Sequence, residues 1–230
     1  MEQTQLASIE QAATLTADSV LAGGVVFCAG VGHSIDHDYL NRAGGPAFLQ
    51  PLSFSFSVNS PVPRCRKEKQ GPALVDQEVE TIRAAMRCGN VRAGDVVVIG
   101  SVSGRNTRPV EIASCSREVG AKVIGFTSLV YTEAVTSLHS SGKKLADVCD
   151  VVVDNGAPYG DAAVTIPGYT VPLMPVSGVS MDVAGWMIWG RAMEIMAERG
   201  KPASVFMSLN REGGQAYYDE SLARYHKFGY

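Results

Sequence analysis

Chemistry concentrates in the stretch Ser101-Val102-Ser103-Gly104-Arg105-Asn106-Thr107, small and polar residues that follow the apolar run Val96 to Ile99 and Gly100. An unbroken apolar run is what a strand buried on both faces of a parallel sheet looks like. Pro109 then sits where a first helical turn tolerates it, and Glu111 follows in the turns where the helix dipole favours an acid. A buried strand therefore feeds a hydroxyl-rich turn that opens a helix. Free N–H groups and the hydroxyls of Ser101 and Ser103 face one spot. That arrangement suits a phosphate or another anion.

Other strand ends add polar groups. Gly30-Val31-Gly32-His33-Ser34 follows an apolar strand at 25–29, Thr127-Ser128 follows 123–126, and Asp154-Asn155-Gly156 follows 151–153. The Gly-x-Gly lacks the third glycine of a dinucleotide fingerprint, because Ile35 holds that place. Ser101 stands where an acidic residue would hold a ribose hydroxyl, so a nicotinamide cofactor is disfavoured. No GxxxxGK[ST] occurs, which disfavours nucleotide phosphoryl transfer. His33 and His37 could share a helix face as metal ligands, but no third ligand accompanies them, and no metal is expected.

The elements that must position these groups alternate along the chain. A helix over 6–22 ends at Gly23-Gly24, and a helical segment from Ile35 to about Ala43 stops at Gly44-Gly45-Pro46. The proline-rich stretch 47–72 reads as a long connection able to hold a short strand or lid. Then come a helix over 73–90, a strand over 96–99, a helix over 108–119, a strand over 123–126, a helix over 134–147 and a strand over 151–153. Such alternation implies a parallel sheet covered on both faces, with ligands at the carboxyl ends of the strands. The Gly/Pro-rich residues 156–175 should contain a hairpin. The apolar helix over 177–199, with Trp186 and Trp189, suits the core or a subunit interface. The tail over 201–230 holds a Gly-Gly turn and a tyrosine-rich helix.

Composition narrows the classes. A chain of 230 residues that is 46% apolar can bury a full core as one domain. A net charge of −3 argues against a nucleic-acid surface. The basic run Arg64, Arg66, Lys67, Lys69, interrupted by Glu68, reads as a solvated loop. The cysteines are odd in number and form no CxxC, as in a reduced cytoplasmic protein. The amino terminus has no basic leader and no apolar run reaches roughly 18 residues, so a soluble protein with no membrane contact is expected.

The turns GxGHS, SxSGRN and TSL after successive strands resemble the pattern of sugar isomerase (SIS) domains. The run TSLHSSGKKLADVCDVVVDNGAPYGDA resembles one branch, small stand-alone proteins of the UPF0309 type. The resemblance covers nearly the whole chain. It implies an α/β fold, a three-layer αβα sandwich on a five-stranded parallel sheet of the doubly wound, flavodoxin-like kind. It also implies a single domain over 1–230, with the tail packing on the site or on a partner subunit, and a homodimer or dimer of dimers. The ligand it implies is a phosphorylated sugar, with no cofactor. By the same resemblance Ser101, Ser103 and Asn106, with Thr127 or Ser128, take the phosphate, and Gly32 and Ser34 lie nearby.

Aldose–ketose isomerisation through an enediol needs a base to move a proton between adjacent carbons and an acid to open the ring. His33, beside the cradle, could fill either role because histidine titrates near neutrality. Glu68, in the connection expected to close over the site, is the second candidate. His139 could orient substrate or cap a helix, and Asp161, after a Gly-rich turn, could bind substrate or hydrogen-bond the backbone. Some SIS isomerases place a histidine before a Gly-Gly near the carboxyl terminus; here SLNREGG carries Asn210 instead. A sugar-phosphate isomerase is thus the expected function. A lyase or etherase using the same proton abstraction, or a non-catalytic sugar-phosphate sensor, are the alternatives.

Overall fold

Val96 to Gly100 are buried at every residue, and alternate side chains serve opposite faces of a sheet. In the computed structural model, which describes residues 4–30, 35–67 and 76–230, this strand is the centre of five parallel strands. The elements run α1 (Leu6–Leu21), β1 (Val26–Ala29), α2 (Ile35–Tyr39), β2 (Leu49–Leu52), α3 (Arg64–Lys67), α4 (Gln77–Cys88), β3 (Val96–Gly100) and α5 (Thr107–Glu118). Then follow β4 (Lys122–Thr127), α6 (Leu129–Glu133), a 3-10 turn (Leu145–Val148), β5 (Val151–Asp154), the hairpin β6 (Ala162–Val164) and β7 (Leu173–Pro175), α7 (Ser177–Glu198) and α8 (Gly214–Phe228). The sheet order is β2-β1-β3-β4-β5, and all its ladders are parallel.

Val26, Cys28, Val96, Val98, Ile124 and Phe126 join the core beneath α1 and α7. Ala29, Val97, Ile99 and Val123 join the core on the other face, with Ile82 and Met86 of α4, Ile112 of α5 and Leu145. The α/β sandwich expected from the sequence is what the chain forms. Asp95 fixes the register at the far end: its carboxylate accepts the N–H of Val25 at 2.8 Å and of Arg92 at 2.7 Å. On the first face Tyr39 is fully buried and its hydroxyl donates to the Met181 carbonyl at 2.6 Å. The ring passes over Gly185, where a Cβ would lie 2.1 Å from the phenolic oxygen.

Most elements fall where the residue pattern puts them, including the hairpin and α8. Three do not. The helix expected over 134–147 is absent: α6 ends at Glu133, and an irregular loop runs to the 3-10 turn. Ser137 and Ser141 divert the backbone there, since their hydroxyls bond the Lys143 carbonyl and the Lys143 N–H, and Gly142 takes φ 73°. The helix expected to reach Ala43 stops at Tyr39, with Asn41 left-handed at φ 55°. Within the connection 47–72, the short strand that the stretch could hold is Leu49–Leu52, and it joins the main sheet beside β1, which was not expected. Its burial is partial, which hid it from an apolar-run reading.

Candidate anion-binding site

The turn between β3 and α5 is held by its carbonyls. Gly104 N–H donates to Ser101 O at 3.1 Å, and Ser128 N–H donates to Val102 O at 2.9 Å. The Thr127 hydroxyl also donates to Val102 O at 3.1 Å, and the Thr132 hydroxyl donates to Ser103 O at 3.1 Å. Leu145 N–H donates to Gly104 O and Leu138 N–H to Arg105 O, both at 2.8 Å. The carbonyls from Val102 to Arg105 are therefore held by donors from other segments of the chain, and that of Ser101 by Gly104 within the turn. Among the described residues the amides of Ser103, Arg105, Asn106 and Thr107 meet no backbone acceptor. The first amides of a helix have no partner within it, so this turn concentrates unspent donors. The Asn106 side chain, at the N-cap of α5, makes no capping bond.

Side chains divide into holders and free groups. Thr127 is fully buried, and its hydroxyl lies between Val102 O and the Thr132 hydroxyl, the latter at 3.0 Å. Ser128 donates to Ala157 O at 2.6 Å and caps α6 by accepting Tyr131 N–H at 3.1 Å. Both hydroxyls are engaged in positioning loops. Ser101 and Ser103 keep hydroxyls without a protein partner among the described residues. Gly104 sits at φ 61°, and a Cβ there would lie 3.0 Å from the Thr127 hydroxyl, so only glycine fits this approach.

Sequence reasoning missed Arg105 as a site residue. Its Nε is buried and has no hydrogen-bond partner. No Asp or Glu stands between Gly100 and Val110 to neutralise it. A guanidinium inside a turn of free amides, with no acid beside it in sequence, was the signal available. Arg108, the second residue of α5, stacks instead on Phe54, 4.8 Å from the ring centre.

His139 lies just beyond this turn and is held at both nitrogens. Nε2 is 2.8 Å from Glu111 Oε2 and Nδ1 is 2.7 Å from the Ser141 hydroxyl. Glu111, only 2% exposed, also accepts from Arg83 Nε at 2.6 Å. Burial alone would raise the Glu111 pKa; the hydrogen bonds from His139 and Arg83, with the Arg83 charge, hold it below the ordinary value. Glu111 and Arg83 were not singled out for this role from the sequence.

Asp161, left-handed at φ 69°, accepts the N–H of Ser177 at 2.9 Å and its hydroxyl at 2.7 Å, joining the hairpin to the start of α7. Gly32, His33, Ser34 and Glu68 lie outside the described residues. Among the described residues no group of three or more His, Cys, Asp or Glu side chains gathers as a metal-ligand set, and no helix is long and apolar enough to cross a membrane.

Residues 1–128, which include the whole of this turn, match the family model of the SIS domain. The chain belongs to the SIS-domain family. Within it, this chain is 35% identical over 224 residues to a UPF0309 protein of Streptomyces griseus, covering 95% of this chain and 86% of that one. A UPF0309 protein of Halalkalibacterium halodurans is 34% identical over 235 residues, covering 99% of this chain and 93% of its own. Phosphoheptose isomerase GmhA of Neisseria gonorrhoeae shares the fold, with a TM-score of 0.51 and 18% identity over 85% of this chain and 89% of its own. The His139 loop lies beyond residues 1–128, the part of the chain that the family model matches.

Proposed function

We propose that the protein binds a phosphorylated sugar at the carboxyl end of β3 and interconverts its aldose and ketose forms without a cofactor. The observation that carries the binding half is the capture of the Ser101–Arg105 carbonyls, which leaves amides, the Ser101 and Ser103 hydroxyls, Asn106 and Arg105 for an anion. Phosphate is the ligand group such a helix-opening turn suits, and the phosphoheptose isomerase shares the fold. Proton transfer falls to His33 and Glu68 in this reading. Thr127 and Ser128 set the geometry of the turn, and Asp161 sets that of the hairpin.

The protein works as a homodimer in this account. From Ala162 to Met181 there is no charged residue, yet Tyr169, Val171, Met174 and Val179 are exposed. Apolar surface of that kind marks an interaction site, and a hairpin of three-residue strands gains stability by packing on something larger. The free cysteines fit a reducing compartment such as the cytoplasm.

A second reading, a sugar-phosphate sensor, is favoured by one observation. His139 and Asp161, the candidate titratable groups within the described residues, are both committed to structural bonds. Proton NMR in D2O with a panel of aldose, ketose and amino-sugar phosphates separates the readings. Deuterium beside the carbonyl with interconverted product supports the isomerase. Exchange without an isomer indicates a lyase, and line broadening without exchange indicates the sensor.

A further inference from the structure

The HSSGK stretch, His139 to Lys143, is built around one imidazole. Ser141 N–H lies 3.1 Å from His139 Nδ1 and can only donate, so Nδ1 carries the lone pair. The hydrogen-bond network thereby assigns the proton to Nε2, which donates to Glu111 Oε2 at 2.8 Å. The Ser141 hydroxyl completes the set by accepting Lys143 N–H at 3.2 Å and donating to Nδ1 at 2.7 Å. Ser137 closes the loop from the other side: its hydroxyl donates to Lys143 O at 2.6 Å and accepts His139 N–H at 3.0 Å. The ring is buried and used at both nitrogens, an arrangement for holding position.

What it holds is the anion turn. Leu138, next to His139, donates to Arg105 O, and Leu145, at the loop's end, donates to Gly104 O. The Thr107 hydroxyl donates to Leu138 O at 3.3 Å, so the loop also grips the first residue of α5. Glu111 stands one helical turn further along α5, anchored by Arg83 of α4. Loop and helix are thus tied at two heights, and the Gly104 and Arg105 peptides are fixed between them.

We propose that Glu111 and His139 are positioning residues whose bond presses the 134–144 loop onto the turn and keeps the Arg105 and Asn106 amides aimed at the bound phosphate. This rests on the reading of the turn as a phosphate cradle. Without the imidazole, the Glu111 carboxylate loses a buried donor and the loop loses one of its two ties to α5. The Gly104 and Arg105 carbonyls are then released, and their peptides can rotate away from the ligand.

The test is a titration of the full chain with inorganic phosphate, followed by 31P line broadening, alongside thermal unfolding of each variant. His139→Ala should weaken phosphate binding about tenfold or more, the scale of a lost bond to a buried charged group. His139→Gln, whose side-chain amide can still donate to Glu111, should recover part of that loss. Glu111→Gln keeps the shape of the site and gives the same reading if His139→Ala fails to fold; it too should weaken binding. Folded His139 and Glu111 variants that bind phosphate as the parent does, with only a lowered unfolding temperature, would overturn the positioning role. Ser103→Ala serves as the control for the cradle. If it weakens binding while the His139 and Glu111 variants do not, the cradle stands and the positioning role falls. If the parent protein binds no phosphate, both fall.

Discussion

Leu138 donates its backbone N–H to the carbonyl of Arg105 at 2.8 Å, one of the bonds that hold the peptides of the turn after β3 from behind. A peptide whose oxygen is taken from behind presents its neighbouring N–H groups forward. The same device recurs along the turn with Ser128, Thr132 and Leu145 as donors. The local sequence supplies the turn, and distant residues supply its orientation.

Ser103→Ala should weaken binding of a sugar phosphate by about 1.5–3 kcal/mol, the range for a hydrogen bond to a charged group. Arg105→Gln should have an effect in the same direction, larger at low than at high salt, because it removes charge. Calorimetric titration at two ionic strengths checks both. Equal affinities in the parent and both variants would show that the anion sits elsewhere.

Gly104→Ala should destabilise the fold by about 1–3 kcal/mol, since φ 61° is costly for alanine and the new Cβ would press on the Thr127 and Thr132 hydroxyls. Urea unfolding with an unchanged slope and a lower midpoint is the expected result.

Stability should fall in acid partly through Glu111. Its pKa in the folded protein is held below the ordinary 4.5 despite burial, through His139 and Arg83. A depressed carboxyl pKa contributes stability above its unfolded value and loses it as pH falls through the folded value. Glu111→Gln should therefore be less stable than the parent at pH 7, with the gap closing below pH 4.5. A gap that stays constant with pH would contradict the assignment.

Cysteine labelling should be selective. Burial pushes the thiols of Cys115 and Cys149 up to about 12, with Glu111 adding to the effect at Cys115 and Asp150 at Cys149. Cys65 and Cys88 are exposed. Iodoacetamide at pH 8 on the folded protein should modify Cys65 and Cys88 and spare Cys115 and Cys149, as read by peptide mass spectrometry.

Charges introduced on the outer face of α7 should dissociate the proposed dimer. Val179 is 69% exposed and Val183 lies one turn on, so neither change disturbs the core. Light scattering of Val179→Glu with Val183→Glu, two like charges on that face, should give a monomer from a dimeric parent. A parent that is already monomeric at micromolar concentration would contradict the interface.

The sheet was legible because β3, β4 and β5 are apolar runs ended by polar turns. β2 was not, since an edge strand with Gln50 and Pro51 carries a weak apolar signal. The 134–147 segment misled because Ala, Leu and Lys favour helix, while the decisive bonds come from Ser137, His139 and Ser141 to the backbone. At the site, the chemistry of Ser101 and Ser103 could be read from their type and place. The commitment of Thr127 and Ser128 to Val102 O and Ala157 O could not, because those acceptors arrive from elsewhere in the chain. The Glu111–His139 pair joins α5 to a loop whose course no local pattern gives.

In the proposed function the turn after β3 holds the phosphate of a sugar. The most direct test compares one sugar phosphate with the same sugar lacking its phosphate, by calorimetric titration of the parent and Ser103→Ala. The account predicts binding of the phosphorylated sugar alone, weakened by the substitution. Equal affinity for the two sugars, or a phosphorylated sugar bound as well by Ser103→Ala as by the parent, would contradict it.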